Sequence, residues 1–267
     1  MKLTIGFSTC PNDTFIFDAM VHHKIDTQGL DFEVALADVA QLNHWALAGK
    51  LDVTKLSFNA FTQCLDKYVL LDSGAAIGRN CGPILIKKPN NVLSAKSSIA
   101  IPGENTTANM LLTLAFPTYK NKEEFLFSEI QKKVLNDEVD AGLIIHENRF
   151  TYQEKGLEKV MDLGSFWENK TGLPIPLGGI VATRKFTKER QKQIESILRK
   201  SVEYAFANPK SSAEYVKCHA QEMDPKVIDA HINLYVNDFS ISLGKEGKSA
   251  VKKVFEENRI NSQFIFV

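Results

Sequence analysis

Apolar runs and stretches with helical spacing alternate along the first third of the chain. Three segments are apolar or alternate with period two and therefore predict strands: KLTIGFS, LDFEVALAD and DVTKLSF. Two segments between them predict helices, DTFIFDAMVHH and VAQLNHWALAGK, the second of which ends at the stop signal Gly49. This order predicts a parallel sheet with right-handed crossovers, in which ligands bind beyond the carboxyl ends of the strands.

The alternation of predicted strands and helices begins again near Cys81. The segments CGPILIKK, SSIAIPG, EEFLF and VDAGLIIHE predict strands, and TTANMLLTLAF and SEIQKKVLNDE predict helices. After TGLPIPLGGIVATR come long helical patterns from Lys188 to Asn258. The cluster of proline and glycine at 174–179 suits a return crossing between two lobes. We therefore expect residues 1–84 and 178–267 to form lobe I, and residues 85–177 to form lobe II.

A short internal likeness supports two similar lobes. LDVTKLSFN from Leu51 and VDAGLIIHE from Val139 each place an aspartate before a strand that ends in polar groups. Each also follows a predicted amphipathic helix. If the two segments are equivalent, Ser57 and His146 lie at matching strand ends and face each other across a cleft.

Composition and charge narrow the class of protein. The 267 residues are 44% hydrophobic and 24% charged, with 32 basic and 32 acidic side chains, so no basic surface indicates a nucleic-acid partner. No apolar run approaches the roughly 20 residues of a membrane span, and the N-terminal segment is too short for a signal peptide. Four cysteines without CxxC spacing predict neither a disulfide framework nor a zinc site. We expect a cytoplasmic protein with no membrane partner.

Five motifs in order, STCPNDTFIFDA, GRNCGPILI, IPGENTTA, AGLIIHENRFTY and TGLPIPLGGI, give the sequence a specific resemblance. From Ser8 to about Ile180 it resembles the 1,4-dihydroxy-6-naphthoate synthase family of menaquinone biosynthesis, which acts in the futalosine pathway. The helical segments after Lys188 add nothing specific to this likeness. The resemblance implies an α/β fold of the type II periplasmic-binding-protein-like kind, with two lobes, mainly parallel sheets and a central cleft.

The resemblance also implies a lyase that uses neither a metal nor an organic cofactor. Its substrate would be cyclic dehypoxanthinyl futalosine, a spiro compound with an aryl carboxylate and an aryl ketone. Loss of an enolisable proton would allow retro-aldol cleavage of a carbon–carbon bond, release of a three-carbon fragment such as dihydroxyacetone, and aromatisation. By resemblance His146 is the proton acceptor, and Lys55, Leu56, Ser57, Thr106 and Thr107 contact the substrate.

The candidate residues also have chemistry of their own. An imidazole with an ordinary pKa near 6.5 can accept a proton at neutral pH. His146 could equally be a structural histidine at a strand end, with its hydrogen bonds made within the protein. Glu147 could orient that ring or point to the other face of the strand. Thr106 and Thr107 open a helix, where free N–H groups can bind an anion, although ordinary N-capping by Asn105 or Thr106 needs no ligand.

The turn STCPND follows the first strand, which makes Ser8, Thr9 and Asn12 candidate ligand contacts. Asn12 or Asp13 is also a plausible N-cap for the next helix. Cys10 is better explained as a small packed residue than as a nucleophile, because a nucleophile needs a paired base.

The other charged and histidine positions are less informative. Arg79 would supply a cation near a lobe crossing, without a catalytic role. The adjacent His22 and His23 point in different directions on a helix and cannot chelate as a pair. His44, His219 and His231 carry no motif, so we predict no metal site.

Two alternatives remain open. The same architecture serves solute-binding proteins, since a fold does not fix a function, and the sibling chorismate dehydratase is a nearer rival. Against a transport receptor, we expect no export segment from the N-terminal residues. The IIHE and STCPND motifs favour the synthase over the dehydratase. We expect a small-molecule carboxylate as the partner, a chain that can also form a homodimer, and lobes that close on the ligand near 81–85 and 174–179.

Overall fold

In the computed structural model, residues 1–146, 148–220, 224–263 and 265–267 are described. The strands are β1 (Lys2–Phe7), β2 (Asp31–Leu36), β3 (Val53–Ser57), β4 (Tyr68–Leu70), β5 (Ala76–Gly78), β6 (Ile84–Lys87), β7 (Ile99–Ile101), β8 (Lys122–Glu124), β9 (Ala141–Ile144), β10 (Glu158–Asp162) and β11 (Ile175–Thr183). The helices are α1 (Pro11–Val21), α2 (Val39–Leu47), α3 (Phe58–Phe61), α4 (Thr107–Ala115), α5 (Ile130–Leu135), α6 (Asn148–Thr151), α7 (Leu163–Thr171), α8 (Lys188–Ala207), α9 (Ala213–His219), α10 (Pro225–Tyr235), α11 (Asp238–Ile241) and α12 (Gly244–Glu257).

The strands form two mixed sheets, as an α/β protein with two lobes requires. The first sheet has the order β2-β1-β3-β11-β4, with β5 also paired to β11. Its β1, β2 and β3 are parallel because helices connect them, whereas β11 runs antiparallel to β3, β4 and β5. The two-sheet α/β architecture predicted from the sequence is therefore confirmed, with parallel pairing restricted to part of each sheet.

The second sheet has the order β10-β6-β9-β7-β8. Here β7 is parallel to β8 and β9, and β6 is antiparallel to β9 and β10. The strands β4, β5, β10 and β11 were not predicted from the sequence. Two of them have only three residues, too few to show a periodic pattern.

The chain passes between the sheets through two segments that lie against each other. It leaves the first sheet after β5, and it returns from β10 through α7 to β11. A side chain on Gly82 would place its Cβ atom 2.2 Å from the backbone of Gly164, so only glycine allows this contact. The N–H of Leu163 also donates to the carbonyl oxygen of Pro83 at 2.8 Å.

Apart from Pro174, which precedes the strand, the proline and glycine cluster at 174–179 lies in β11. Pro176 is tolerated there because the register of β11 shifts between Pro176 and Gly178, which is a place where a strand can accept a residue without an N–H. Leu177, between them, has its carbonyl oxygen free of the ladder and directed to another element. The bulge also lines the cavity of the candidate site.

One buried apolar cluster spans both sheets. It includes Leu56 and Leu70 of the first sheet together with Leu85, Ile101 and Leu143 of the second. The side chains of α4 pack into the same cluster. The site between the sheets therefore rests on a continuous hydrophobic core. In the described ranges no helix is both long and apolar enough to cross a membrane.

Candidate active site

A cavity lies between the two sheets, with about 680 Å³ of empty space including its opening to solvent. The first sheet contributes the end of β3 and the bulge in β11, and the second sheet contributes the turn after β9 and the start of α4. Thr9, a candidate contact from the sequence, is not among the residues that line the cavity. The other predicted site residues all line it: Ser8, Asn12, Lys55, Leu56, Ser57, Thr106, Thr107 and His146. Ser57 and His146 thus line the same cavity from opposite sheets.

His146 lies two residues beyond the end of β9, in a turn. Its φ of 58° is in the left-handed region, which costs a residue with a side chain roughly 1 kcal/mol and is common at functional sites. Its ring contacts Phe127 at 4.9 Å between centroids, edge to face, and stacks on His231 at 5.9 Å with an angle of 22° between planes. The ring is therefore held mainly by two other rings.

The His146 imidazole is neutral at physiological pH. Its Nε2 atom is buried and has no hydrogen-bond partner among the described residues, although part of the residue reaches the surface. The pKa of the ring is lowered to about 4, chiefly by burial; the Asp13 and Asp38 carboxylates oppose this shift, and the Lys55 ammonium adds to it. An unprotonated nitrogen in a cavity can accept a proton from a bound molecule.

A buried ion pair lies beside this ring. The Lys55 ammonium contacts Oδ1 of Asp13, and both side chains are almost fully buried. The Oδ2 atom of Asp13 accepts from Oγ of Ser8 at 2.7 Å, and Oδ1 accepts from Nδ2 of Asn12 at 2.8 Å. The carboxylate is thereby fully satisfied, which is the condition for burying an ion pair at tolerable cost. The side chains of Ser8 and Asn12 therefore form hydrogen bonds within the protein, to Asp13.

The Asp13 position also corrects the expected start of α1. The N-cap is Cys10, which makes no side-chain cap, and neither Asn12 nor Asp13 occupies that position. Pro11 takes the first helical position because it needs no N–H there. Asn12 and Asp13 are consequently the second and third residues of the helix, and both line the cavity.

Ser57 is oriented by Asn43 of α2. Nδ2 of Asn43 donates to Oγ of Ser57 at 3.0 Å, and the Ser57 N–H donates to Oδ1 of Asn43 at 2.8 Å. The Ser57 hydroxyl accepts this bond and does not donate to any described residue. Its proton can therefore be offered to a molecule in the cavity.

The two threonines at the start of α4 have separate tasks. Thr106 is the N-cap, since its Oγ1 accepts from the N–H of Asn109 at 3.1 Å. Thr107 joins the sheets, because its Oγ1 donates to the bulge carbonyl of Leu177 at 2.8 Å and accepts from the N–H of Asn59 at 3.3 Å. Capping by Thr106 was one of the alternatives from the sequence, and the role of Thr107 as a tie was not foreseen.

The start of α4 also offers backbone donors. No described residue accepts from the N–H groups of Thr107 or Ala108, and both residues line the cavity. Unsatisfied N–H groups at a helix start, together with the helix dipole, favour an anion. An anionic group in the cavity would therefore be stabilised here by main-chain atoms.

The remaining candidate residues either lie outside the cavity or are unsuited to act as nucleophiles. Arg79 pairs with Glu246 at 2.7 Å and is not part of the cavity wall. Cys81 lines the cavity, but burial raises the pKa of its thiol to about 12, so it is not a nucleophile. Cys10 is buried at the start of α1, as the packing interpretation predicted. Glu147 lies outside the described residues.

Sequence reasoning missed three residues of the site: Asp13 as the partner of Lys55, Asn43 beside Ser57, and His231 against His146. Asp13 lies in the first turn after β1, and Lys55 lies near the end of β3, the parallel neighbour of β1, so the topology could have paired them. Asn43 lies inside a helical pattern, where its position gave no signal. His231 is separated from its partner Asn12 by 219 residues, and only the fold brings them together.

The amino-acid sequence matches the family described as "Menaquinone biosynthesis" over residues 3–259. It is 45% identical over 255 residues to a 1,4-dihydroxy-6-naphthoate synthase of Thermus thermophilus, covering 96% of this chain and 93% of that relative. It is 43% identical over 256 residues to an enzyme of the same name from Streptomyces coelicolor, covering 94% and 90% respectively.

Solved structures extend the likeness. A protein of Archaeoglobus fulgidus superimposes with a TM-score of 0.90 at 35% identity, covering 97% of each chain. The ligand-binding component of an ABC-type import system from Staphylococcus aureus has a TM-score of 0.73 at 10% identity, covering 100% of this chain and 96% of that one, and shows likeness of fold alone. Two sheets around a shared cavity thus define a periplasmic-binding-protein-like fold. Within that class the chain belongs to the menaquinone-biosynthesis family.

Proposed function

We propose that this chain is a carbon–carbon lyase that converts cyclic dehypoxanthinyl futalosine to 1,4-dihydroxy-6-naphthoate with release of a three-carbon fragment, dihydroxyacetone. The observation that carries the proposal is a neutral imidazole, His146, in a cavity between two lobes of a menaquinone-biosynthesis family member. The two relatives at 43–45% identity bear the name of this synthase. Lobe I would comprise residues 1–84 and 178–267, and lobe II residues 85–177.

His146 would start the reaction as a general base. Its Nε2 removes the enolisable proton next to the aryl ketone, and the electron pair moves onto the ketone oxygen as an enolate. The carbon–carbon bond to the sugar-derived fragment then breaks in the retro-aldol sense. A hydroxyl of that fragment loses its proton and becomes the carbonyl of dihydroxyacetone, while the electron pair of the broken bond passes to the bicyclic part, which takes up a proton and becomes aromatic. Because Nε2 has no competing hydrogen bond among the described residues, its lone pair is available for the proton.

Polar groups opposite the base would hold the substrate. The aryl carboxylate would bind the N–H groups of Thr107 and Ala108 and the hydroxyl of Ser57, all of which line the cavity. The Lys55 ammonium supplies positive charge on the same side. Leu56 and other apolar side chains would enclose the aromatic ring. Ser8, Asn12 and Thr106 would act by fixing these groups rather than by direct bonds.

The test is incubation of purified protein with the spiro substrate, followed by absorbance and chromatography. The enzyme yields a naphthalene chromophore and an equal amount of dihydroxyacetone, whereas a solute-binding protein returns the substrate unchanged. A His146→Asn variant keeps a polar group but cannot accept the proton, so its turnover should fall on the order of 10² to 10⁴ with little change in substrate affinity. Near-normal turnover in a folded variant would exclude His146 as the base.

A further inference from the structure

His231 is a buried residue to which the proposed reaction gives no role. It lies in α10, has no exposed surface, and packs against Tyr235 at 4.6 Å between ring centroids. Its ring stacks on the ring of His146 at 5.9 Å. A titratable side chain in full burial is costly unless its environment fixes one neutral form, so its surroundings are informative.

The hydrogen bond to Asn12 fixes the tautomer of His231. Nδ2 of Asn12 donates to Oδ1 of Asp13 at 2.8 Å, so the amide oxygen of Asn12 faces the other way. That oxygen lies 2.9 Å from Nε2 of His231, which must therefore carry a hydrogen and donate. Asp13 itself is held by the Lys55 ammonium. A chain of fixed bonds thus runs from Lys55 to His231.

From this arrangement we propose that His231 is a positioning residue for the reaction, whose neutral ring stacks on His146 and holds it in the plane required for proton abstraction. The inference rests on the proposed function of His146. His146 needs such support because its backbone is left-handed and its Nε2 has no hydrogen bond among the described residues. The stacked ring also helps to keep water from Nε2.

Charged side chains from several elements surround His146, and each of them raises or lowers its pKa. Asp13 of α1 and Asp38 at the start of α2 favour the protonated ring, while Lys55 of β3 disfavours it. Burial and the neighbouring His146 also lower the pKa of His231, so the two rings are not charged together. Replacing His231 therefore changes the packing of His146 while the charges of Asp13, Asp38 and Lys55 remain.

Two substitutions of His231 separate the contribution of its flat ring from that of its hydrogen bond to Asn12. His231→Gln retains an N–H donor for Asn12 but removes the flat ring, and His231→Phe retains a flat ring but removes the donor. We expect turnover to fall about tenfold or more in His231→Gln and less in His231→Phe, with KM within about threefold of the wild type in both. His44→Gln, an exposed histidine of α2, is the matched control and should match the wild type.

The second readout is a histidine titration of the free protein by NMR, which needs no substrate. In His231→Gln, water reaches the His146 ring, so its pKa should rise by about one unit, while His44→Gln leaves it unchanged. A folded His231→Gln variant with wild-type turnover and an unchanged His146 titration overturns the proposal. Lower turnover with an unchanged titration assigns His231 a structural role only and also overturns it. If the wild type does not convert the spiro substrate, the proposed function fails, and the titration still decides whether His231 controls His146.

Discussion

At the scale of single residues, the burial that keeps His146 neutral also makes it a weak base in the empty cavity. A pKa of about 4 leaves the ring unprotonated at neutral pH, yet it gives little driving force for taking a proton. A bound carboxylate and the developing enolate both bring negative charge near the ring, and an opposite charge favours the protonated form. The base therefore gains strength as the substrate enters and reacts.

This reasoning predicts the pH dependence of the proposed lyase reaction. Since the free ring is protonated only below about pH 4, kcat/KM should fall on an acid limb centred near 4 instead of near 6.5. The limb of kcat alone should lie at higher pH because it reports the substrate-bound form. Initial rates from pH 3.5 to 8 test this, after correction for the separately measured titration of the substrate carboxyl. A kcat/KM limb near 6.5 would contradict it.

The ion pair of Asp13 and Lys55 gives a prediction for stability. Lys55→Met leaves the buried carboxylate without its cation, although bonds from Ser8 and Asn12 remain. The free energy of unfolding should therefore fall by about 2 to 3 kcal/mol, somewhat less than is usual for a broken buried pair. Lys2→Met is the control, because its pair with Glu33 is exposed and should lose less than about 1 kcal/mol. Urea unfolding measures both, and equal losses would argue against a buried charge at Asp13.

At the scale of elements, the bulge in β11 connects the fold to the site. Its irregular register frees the carbonyl oxygen of Leu177, which accepts from Thr107 at the start of α4. The same threonine accepts from the N–H of Asn59 in α3. One hydroxyl thus joins elements of both sheets next to the cavity.

The elements also show where sequence patterns carry enough information. The strands β3 and β9 were predicted because each segment is apolar or alternates with period two and ends in polar groups, and that pattern placed Ser57 and His146 at one cavity. The pairing of His231 with His146 could not be predicted, because packing of α10 on the cavity depends on the whole fold. The left-handed backbone of His146 was equally hidden, since the surrounding structure imposes it.

The contact between Gly82 and Gly164 gives a prediction at this scale. Gly82→Ala would place a Cβ atom 2.2 Å from the Gly164 backbone, so one crossing segment must move. The expected loss is about 3 kcal/mol of unfolding free energy, since backbone cannot give way as a side chain can. Gly156→Ala is the control: its φ of 76° costs roughly 1 kcal/mol, but no atom lies within 4 Å. Similar unfolding midpoints for the two variants would show that the crossings are loosely packed.

At the scale of the whole molecule, the hydrophobic cluster shared by both sheets determines how a ligand can enter the cavity. Leu56 and Leu70 of the first sheet belong to the same buried cluster as Leu85 and Leu143 of the second. Pulling the lobes apart would expose apolar surface at about 25 cal/mol per Å², so every few hundred Å² costs several kcal/mol. This changes the expectation, drawn from the sequence, that the lobes close on the ligand.

We accordingly predict that the free protein holds its lobes together and that ligand enters by local movement at the cavity mouth. The radius of gyration from small-angle scattering should then be the same, within about 0.5 Å, with and without saturating naphthoate product. Denaturant unfolding followed by tryptophan fluorescence and by circular dichroism should show one coincident transition, because the two lobes share one core. A marked decrease in radius on binding, or two separate transitions, would mean that the lobes move and unfold as independent units. A ligand-free sample with an added aromatic carboxylate that does not bind serves as the control for solvent contrast.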